Sequence, residues 1–492
     1  MAWTKERLQE VVRDRLGGAK LVIVANREPY IHVREGEELR CMIPASGLTT
    51  ALDPVMRTCH GVWVAHGSGD ADREVSDEKG RLQVPPDQPS YTLRRVWLTK
   101  EQEQGYYYGF SNEALWPLCH IAYQRPKFDT SDWEQYKKVN RIFADAILEE
   151  VGAEPSIVFI QDYHFALLPR MLKTDRPDLT LVQFWHIPWP NRESFRICPW
   201  KEEILDGLLG NDLLSFHIQY HCNNFLDAVD RLMEARVDME HFSVTRGGRT
   251  TFVRPFPISI DPDIVSAQSG GFTPQVERAF RKRFRLGNQR LVVGVDRVDY
   301  TKGIPERLRA VDRLLTLYPD LREKFTFVQI GAPSRIHIPA YRRLNAEVDA
   351  LVEEVNWKHG NGRWKPVVYI NEHHGPETLH ALYRAASVCV VSSLHDGMNL
   401  VAKEFIAARE DGRGVLVLSR FTGAARELTE AILINPYAAD EFAKALHTAL
   451  TMPEEEQERR MLRLRERITD NNIYRWAGML LSEAAKMSKA MR

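Results

Sequence analysis

The sequence predicts an α/β protein built from two doubly wound, Rossmann-like domains, each a mostly parallel sheet covered by helices. Three observations carry this expectation. The 492 residues exceed what one ordinary core accommodates. Short apolar runs alternate with longer helical patterns almost from end to end, the form taken by strands buried on both faces. The alternation breaks once, at "TTFVRPFPISIDPDIV" with its three prolines, and then starts again.

Before the break, "KLVIVAN", "GVWVAH", "TLRRVWL", "SIVFIQDYH", "TLVQFWHIPW" and "DLLSFH" read as strands, and "SDWEQYKKVNRIFADAILEEV" as a helix between them. After it come a basic helix, "PQVERAFRKRFRLG", and the strands "QRLVVGVDRVDY", "KFTFVQIGA", "KPVVYINE", "ASVCVVSSL", "GVLVLSR" and "AILINPY". The boundary is placed near Pro255 to Asp261. This makes 1–257 the first domain, 258–470 the second and 471–492 a terminal helix. That helix carries Trp476, Met479 and Leu480 on one face, which is expected to dock on the body. In such sheets ligands collect at the carboxyl ends of the strands, so two facing domains imply a cleft.

Sixty-six basic against 67 acidic side chains give a formal net charge of -1, which argues against nucleic acid or an anionic membrane as partner. The six cysteines are scattered without a CxxC pair and read as reduced thiols of a cytoplasmic protein. The opening "MAWTKERLQEVVRDRLGGAK" mixes acids and bases at helical spacing and lacks the unbroken apolar segment expected of a signal peptide, and no apolar run reaches the roughly 18 residues of a membrane span.

Two stretches carry chemistry. "VGVDRVDYTKG" places Arg297 and Lys302 past a strand end and ahead of a helix, where two cations suit a diphosphate; a solvated basic loop would look the same. In "HDGMNLVAKEF", Asp396 can accept from sugar hydroxyls, and the backbone around Asn399, Leu400 and Val401 enters a helix whose first amides can hold phosphate oxygens. Glu404 could accept from a ribose. Helix capping alone would account for an acid at the helix start, but not for the glycine or for Glu404.

With these motifs, "GAPSR", "GVLVLSRFTGAARELTEAILINPY", "GYYYGFSNEALWP" and "HIPWP" stand in the order and approximate spacing of the trehalose-6-phosphate synthase family, and the resemblance covers roughly residues 20 to 485. It implies the GT-B fold and a retaining transfer of glucose from a nucleotide sugar, usually UDP-glucose, to glucose 6-phosphate. No cofactor and no metal would be required. It also implies roles for individual residues. His186, Arg297, Lys302 and Asp396 would be catalytic, His186 binding the donor glucose near the reacting centre. The donor would be held by Gly47, Arg297, Lys302, Asn399, Leu400, Val401 and Glu404. Arg27, Tyr107, Trp116, Asp162 and Arg335 would hold the acceptor, the two arginines clamping its phosphate from both sides. Read as isolated residues, His186 is equally a core histidine, the arginines surface groups and the aromatics core.

The departures bear on the acceptor. "ANREPY" has alanine where the family usually has serine, and its "REP" resembles glucosylglycerol-phosphate synthases, which use glycerol 3-phosphate. "PASGL" has a single glycine, and His395 replaces a common arginine. Glycerol 3-phosphate is therefore the alternative acceptor, and a non-catalytic sugar-phosphate sensor the alternative of another class. A dehydrogenase is disfavoured because "NREPY", not GxGxxG, follows the first strand. The donor base is left open among UDP, GDP and ADP. Partners are expected to be the two small-molecule substrates, with self-association into a homo-oligomer left open.

Overall fold

A computed structural model describes residues 3–43, 47–269 and 273–490. The chain divides into two compact units: the residues up to Ile258 together with those from Ile473 onward, and Ser259–Asn472.

The first unit is organised on a ten-stranded sheet. Its strands are β1 (Lys20–Arg27), β4 (Val62–His66), β5 (Arg81–Val84), β6 (Tyr91–Val96), β7 (Ser156–Gln161), β8 (Thr180–Phe184), β9 (Leu213–Phe216), β10 (Arg236–Asp238), β11 (Ser243–Arg246) and β12 (Arg249–Pro255). A separate hairpin pairs β2 (Ile31–Glu35) with β3 (Glu38–Met42). The order is β10-β11-β12-β9-β8-β7-β1-β4-β6-β5. It is parallel from β12 to β6, with antiparallel pairing at both edges. The chain builds outward from β1 through β4 and β6, returns to place β7 on the other side of β1, and continues through β8 and β9. The order therefore reverses between β1 and β7, which opens a crevice at their carboxyl ends.

Burial explains the choice of strand. Leu21 to Ala25 of β1 and Ile157 to Ile160 of β7 are at most 3% exposed, so both faces of these central strands are covered. One cover is the helix Thr130–Val151, capped by the Asp129 carboxylate at Ser131 N (2.8 Å), which buries Trp133, Tyr136, Val139, Phe143 and Ile147 along one stripe. The terminal helix Ile473–Ala490 belongs to this unit, and its Trp476 ring packs against Phe159 and Phe184. Trp476 and Leu480 are buried as expected, but Met479 is 45% exposed, because at i+3 from Trp476 it falls on the flank of the apolar stripe.

The second unit holds β13 (Arg290–Arg297), β14 (Phe325–Ala332), β15 (Val367–Ile370), β16 (Ala386–Val391), β17 (Val415–Ser419) and β18 (Ile432–Ile434), in the order β15-β14-β13-β16-β17-β18 and parallel throughout. Here the reversal lies between β13 and β16. This is the expected α/β class with two doubly wound sheets. The six cysteines are unpaired. Among the described residues no helix is long and apolar enough to cross a membrane.

Candidate active site

In the second unit the predicted donor residues gather at the β13/β16 reversal. Arg297 ends β13, and the chain makes a tight turn at Tyr300–Lys302 before the helix Ile304–Leu317. Gly303 joins them at φ +64, and a Cβ there would stand 2.2 Å from the Ser392 carbonyl oxygen, so only glycine lets this turn lie against the end of β16. The contact aims Lys302 at Asp396, whose Oδ2 accepts from Lys302 Nζ at 2.6 Å, Ser393 Oγ at 3.2 Å and Asn399 Nδ2 at 3.3 Å.

Asn399, at φ +121, caps the helix Leu400–Ala408, its Oδ1 accepting from Ala402 N at 3.1 Å. That bond satisfies the third amide of the first turn, and helix geometry gives Leu400 N and Val401 N no intrahelical acceptor, as an anion site requires. The segment is buttressed from the turn after β17: Asp396 bridges Thr422, and a Cβ on Gly423 would stand 2.0 Å from the Gly397 carbonyl oxygen.

Glu404 lies one turn further on, half-buried, with the Tyr383 hydroxyl 3.4 Å from its Oε2. Burial pushes its carboxyl up to about 7, against the Tyr383 bond, which favours the ionised form. Arg335, at φ +49, follows β14 with its side chain 6% exposed. Its Nη1 donates to the Tyr341 hydroxyl at 2.6 Å and lies 3.5 Å from Asp299 Oδ2, which also accepts from Tyr341 at 3.1 Å. Burial works to raise the Asp299 carboxyl, but Arg335 and Arg297 outweigh it and hold it below the usual carboxylate range.

In the first unit the predicted acceptor residues cluster at the β1/β7 reversal. Arg27, exposed at the end of β1, donates from Nη2 to the Tyr107 hydroxyl at 3.2 Å. Tyr107 stacks on His164 (5.6 Å, 13°), and His164 on Tyr163 (4.2 Å). The tyrosine-rich motif forms a π-helix, Gln104–Leu115, in which Trp116 N donates to Ser111 O five residues back. Such wide turns are rare and concentrate at functional sites. Trp116 itself is only 6% exposed, with its ring 4.1 Å from His120. It therefore lines the motif's interior and does not present an open face.

Asp162 follows β7 at φ +71, and its Oδ1 accepts from Tyr163 N at 2.9 Å and His186 N at 3.1 Å. Burial pushes the His186 imidazole down to about 3, so the ring is neutral. Its Nε2 lies 2.8 Å from Gln161 Oε1, which places the proton on Nε2 and makes Nδ1 the acceptor. Gly47 is the first residue of the helix Gly47–Cys59, while residues 44–46 of "PASGL" lie outside the described residues.

Arg27, Tyr107, Trp116, Asp162 and His186 thus belong to the first unit, and Arg297, Arg335, Lys302, Asp396, Asn399 and Glu404 to the second. Asp162, Arg335 and Asn399 all hold positive φ, a backbone cost that persists where surrounding bonds fix it, commonly at sites. The sequence pattern did not single out Tyr383, Asp299 and Tyr341, which support the site from behind; the "DRVD" acid and the tyrosine six residues past Arg335 were the available signals. Among the described residues no cluster of three or more histidine, cysteine or acidic side chains could hold a metal ion.

The model of glycosyltransferase family 20 matches residues 19–486. The chain belongs to glycosyltransferase family 20. This family 20 protein is 39% identical over 480 residues to the trehalose-6-phosphate synthase of Mycolicibacterium vanbaalenii, covering 96% of this chain and 97% of that one. Its structure is similar to one described as trehalose-6-phosphate from E. coli bound with UDP-2-fluoro glucose (TM-score 0.85, 31% identity, 95% of this chain and 99% of that one). It is also similar to a UDP-forming α,α-trehalose-phosphate synthase from Burkholderia xenovorans in complex with glucose-6-phosphate (TM-score 0.84, 30% identity, 95% and 100%). The family 20 chain is accordingly a glycosyltransferase with the fold of those synthases, acting on small molecules.

Proposed function

We propose that this family 20 enzyme transfers glucose from UDP-glucose to glucose 6-phosphate with retention, giving trehalose 6-phosphate. The observation that carries the reading is the Lys302–Asp396–Asn399 cluster at the mouth of the β13/β16 reversal, set against the open end of the helix Leu400–Ala408. It offers a diphosphate one ammonium, a neighbouring guanidinium at Arg297 and two helix-start amides, and offers a hexose one fixed carboxylate. The E. coli structure with UDP-2-fluoro glucose and the Burkholderia structure with glucose-6-phosphate support a UDP-sugar and a hexose phosphate as the two substrates.

In the mechanism we infer, the bond between the glucose anomeric carbon and the β-phosphate oxygen breaks while the acceptor's anomeric oxygen bonds to the same carbon from the same face. The acceptor proton passes to the departing phosphate, and UDP leaves. Arg297, Lys302 and the amides of Leu400 and Val401 stabilise the charge that grows on the diphosphate. Asp396, engaged by three donors, orients the donor sugar as an acceptor of hydroxyl hydrogens and is not placed as a nucleophile. Glu404 takes the ribose, and Gly47 opens the segment that would approach the donor phosphates. His186, neutral and with Nδ1 accepting, holds a donor-glucose hydroxyl. Arg27 and Arg335 take the acceptor phosphate, while Tyr107 and Asp162 take its sugar.

The test is a matrix of UDP-, GDP- and ADP-glucose against glucose 6-phosphate and glycerol 3-phosphate, with the phosphorylated product identified. Trehalose 6-phosphate from UDP-glucose is expected. Glucosylglycerol phosphate as the main product would overturn the acceptor assignment. Binding of a sugar phosphate without turnover of any pair would turn the protein into a sensor.

A further inference from the structure

Directly behind Arg27 lies a cluster the reaction does not use. Glu28, Asp72 and Arg95 are each at most 1% exposed. Arg95, on β6, donates from Nε to Glu28 Oε2 (2.7 Å), from Nη1 to Ser76 Oγ (3.0 Å) and the Asp72 carbonyl (3.1 Å), and from Nη2 to the Tyr30 carbonyl (2.9 Å). Nη2 also lies 2.9 Å from Asp72 Oδ1 and from His32 Nδ1. Asp72 further accepts from His32 N (2.8 Å) and Gly69 N (2.6 Å), and Glu28 Oε1 from Ser68 N (2.8 Å). One guanidinium therefore ties the turn after β1 to the loop after β4.

The charges in this cluster do not balance. Two carboxyls face one cation, and His32 cannot supply a second: a guanidinium only donates, so Nδ1 opposite Nη2 must accept. A buried net negative charge is strongly disfavoured, and the surplus is removed by keeping one proton. That proton belongs on Glu28. Asp72 takes two backbone amides beside the guanidinium, whereas Glu28 takes one, together with the Ser68 hydroxyl at 3.2 Å. Burial, and after it the Asp72 bond, pushes Glu28 up to about 8. Burial would raise Asp72 too, but hydrogen bonds, among them that from the His32 backbone amide, and the Arg95 guanidinium lower it. The other titratable groups nearby are His66 at the end of β4, whose imidazole burial pushes down to about 4, and Cys41 on β3, whose thiol burial pushes up.

We propose that Glu28 is a positioning residue for the acceptor-phosphate arginine: as a neutral carboxyl shared with Asp72 it fixes the turn that carries Arg27, and its ionisation loosens that turn. This rests on the reading of Arg27 as a phosphate anchor. The sign follows: acceptor affinity is intact while Glu28 is protonated and falls as pH rises through its midpoint. The substrate phosphate, with a second pKa of about 6, is already a dianion in that window, and Arg27 stays charged.

The experiment measures the acceptor KM at saturating donor from pH 6.5 to 9.5 for the wild type and Glu28→Gln, together with nucleoside diphosphate affinity. The wild-type KM should rise about tenfold by pH 9.5 with no matching loss of diphosphate affinity, while the Gln variant, which cannot ionise, should stay flat relative to its own value at pH 7. A flat wild-type profile, or the same rise in the variant, overturns the inference. The infrared difference between wild type and Glu28→Gln should show a protonated-carboxyl band at pH 7 that disappears above about pH 9. Lack of that band also overturns the inference. Failure to turn over any sugar phosphate would defeat the functional reading alone, because the infrared measurement needs no substrate.

Discussion

The two units solve the same local problem with different charge balances. Each ends its first strand in an arginine at the point where strand order reverses, and each buries a second arginine underneath. In the second unit Arg307, fully buried, lies 2.8 Å from the single carboxylate of Asp296 and donates to Gln329 (2.7 Å) and Ser392 (2.9 Å). In the first unit Arg95 meets two carboxyls, Glu28 and Asp72. A one-to-one pair is a fixed prop that stays neutral across a wide pH range. A two-to-one cluster must store a proton, and a stored proton makes geometry depend on pH. Rigidity thus falls on the side proposed to hold the diphosphate, and a titratable support on the side proposed to hold the acceptor.

Removing the two buried arginines breaks the comparison most directly. Arg95→Met leaves the Asp72 carboxylate uncompensated beside the neutral Glu28 carboxyl and also removes the bonds to the Asp72 and Tyr30 carbonyls, and should cost about 5 kcal/mol, against about 3 kcal/mol for Arg307→Met, which leaves Asp296 uncompensated. Urea unfolding at pH 7 checks this, and lowering the pH to 5 should restore more of the loss in the Arg95 variant. An equal or smaller loss for Arg95→Met would remove the distinction between the units. Next in size is Lys302→Ala, expected to lower kcat by about a hundredfold to a thousandfold, with far less change in acceptor KM, because it withdraws fixed positive charge from the leaving group. Steady-state kinetics in both substrates would separate those effects.

The sheets were legible in the sequence because strands buried on both faces read as unbroken apolar runs: "KLVIVAN" and "SIVFIQDYH" could hardly be anything else. The donor loop was legible for a local reason as well, since Asp396, Gly397, Asn399 and Glu404 lie within nine residues of one chain. What escaped was non-local or half-exposed. The β2–β3 hairpin has no buried alternation, for every residue of β3 is exposed. The Arg95 cluster joins residues up to 67 positions apart, and nothing in "LRRVW" distinguishes its buried arginine from its neighbour. The π-helix leaves no period that a tyrosine run would reveal. Trp116 was expected to offer a ring face to a sugar, and His120, one α-turn on, lies close against that ring.

Two smaller effects sharpen the contrast on the second unit. Arg335→Ala should raise the acceptor KM far more than it weakens nucleotide binding, by about tenfold if the charged hydrogen bond to phosphate is worth about 1.5 kcal/mol. Tyr341→Phe, which removes the 2.6 Å bond that aims Arg335, should reproduce a fraction of that rise. Equal losses in both substrates would show that Arg335 acts on the donor.

The smallest effect concerns Glu404, the proposed donor ligand whose carboxyl is pushed up to about 7. Its carboxyl is raised from the ordinary range to about 7 by burial, so the folded chain keeps a proton that the unfolded chain releases. Stability from this group therefore declines as pH climbs from about 4.5 to 7 and levels off above. Ligand affinity runs the other way. Ribose hydroxyls donate, the ionised carboxylate accepts them best, and nucleoside diphosphate affinity should tighten severalfold between pH 6 and 8. The diphosphate titrates in the same range, so the informative quantity is the difference between wild type and Glu404→Gln measured calorimetrically with UDP. A steeper pH dependence in the wild type assigns the ribose contact to Glu404; parallel curves would mean that the carboxyl keeps its proton in the complex and serves only the packing beneath the helix Leu400–Ala408.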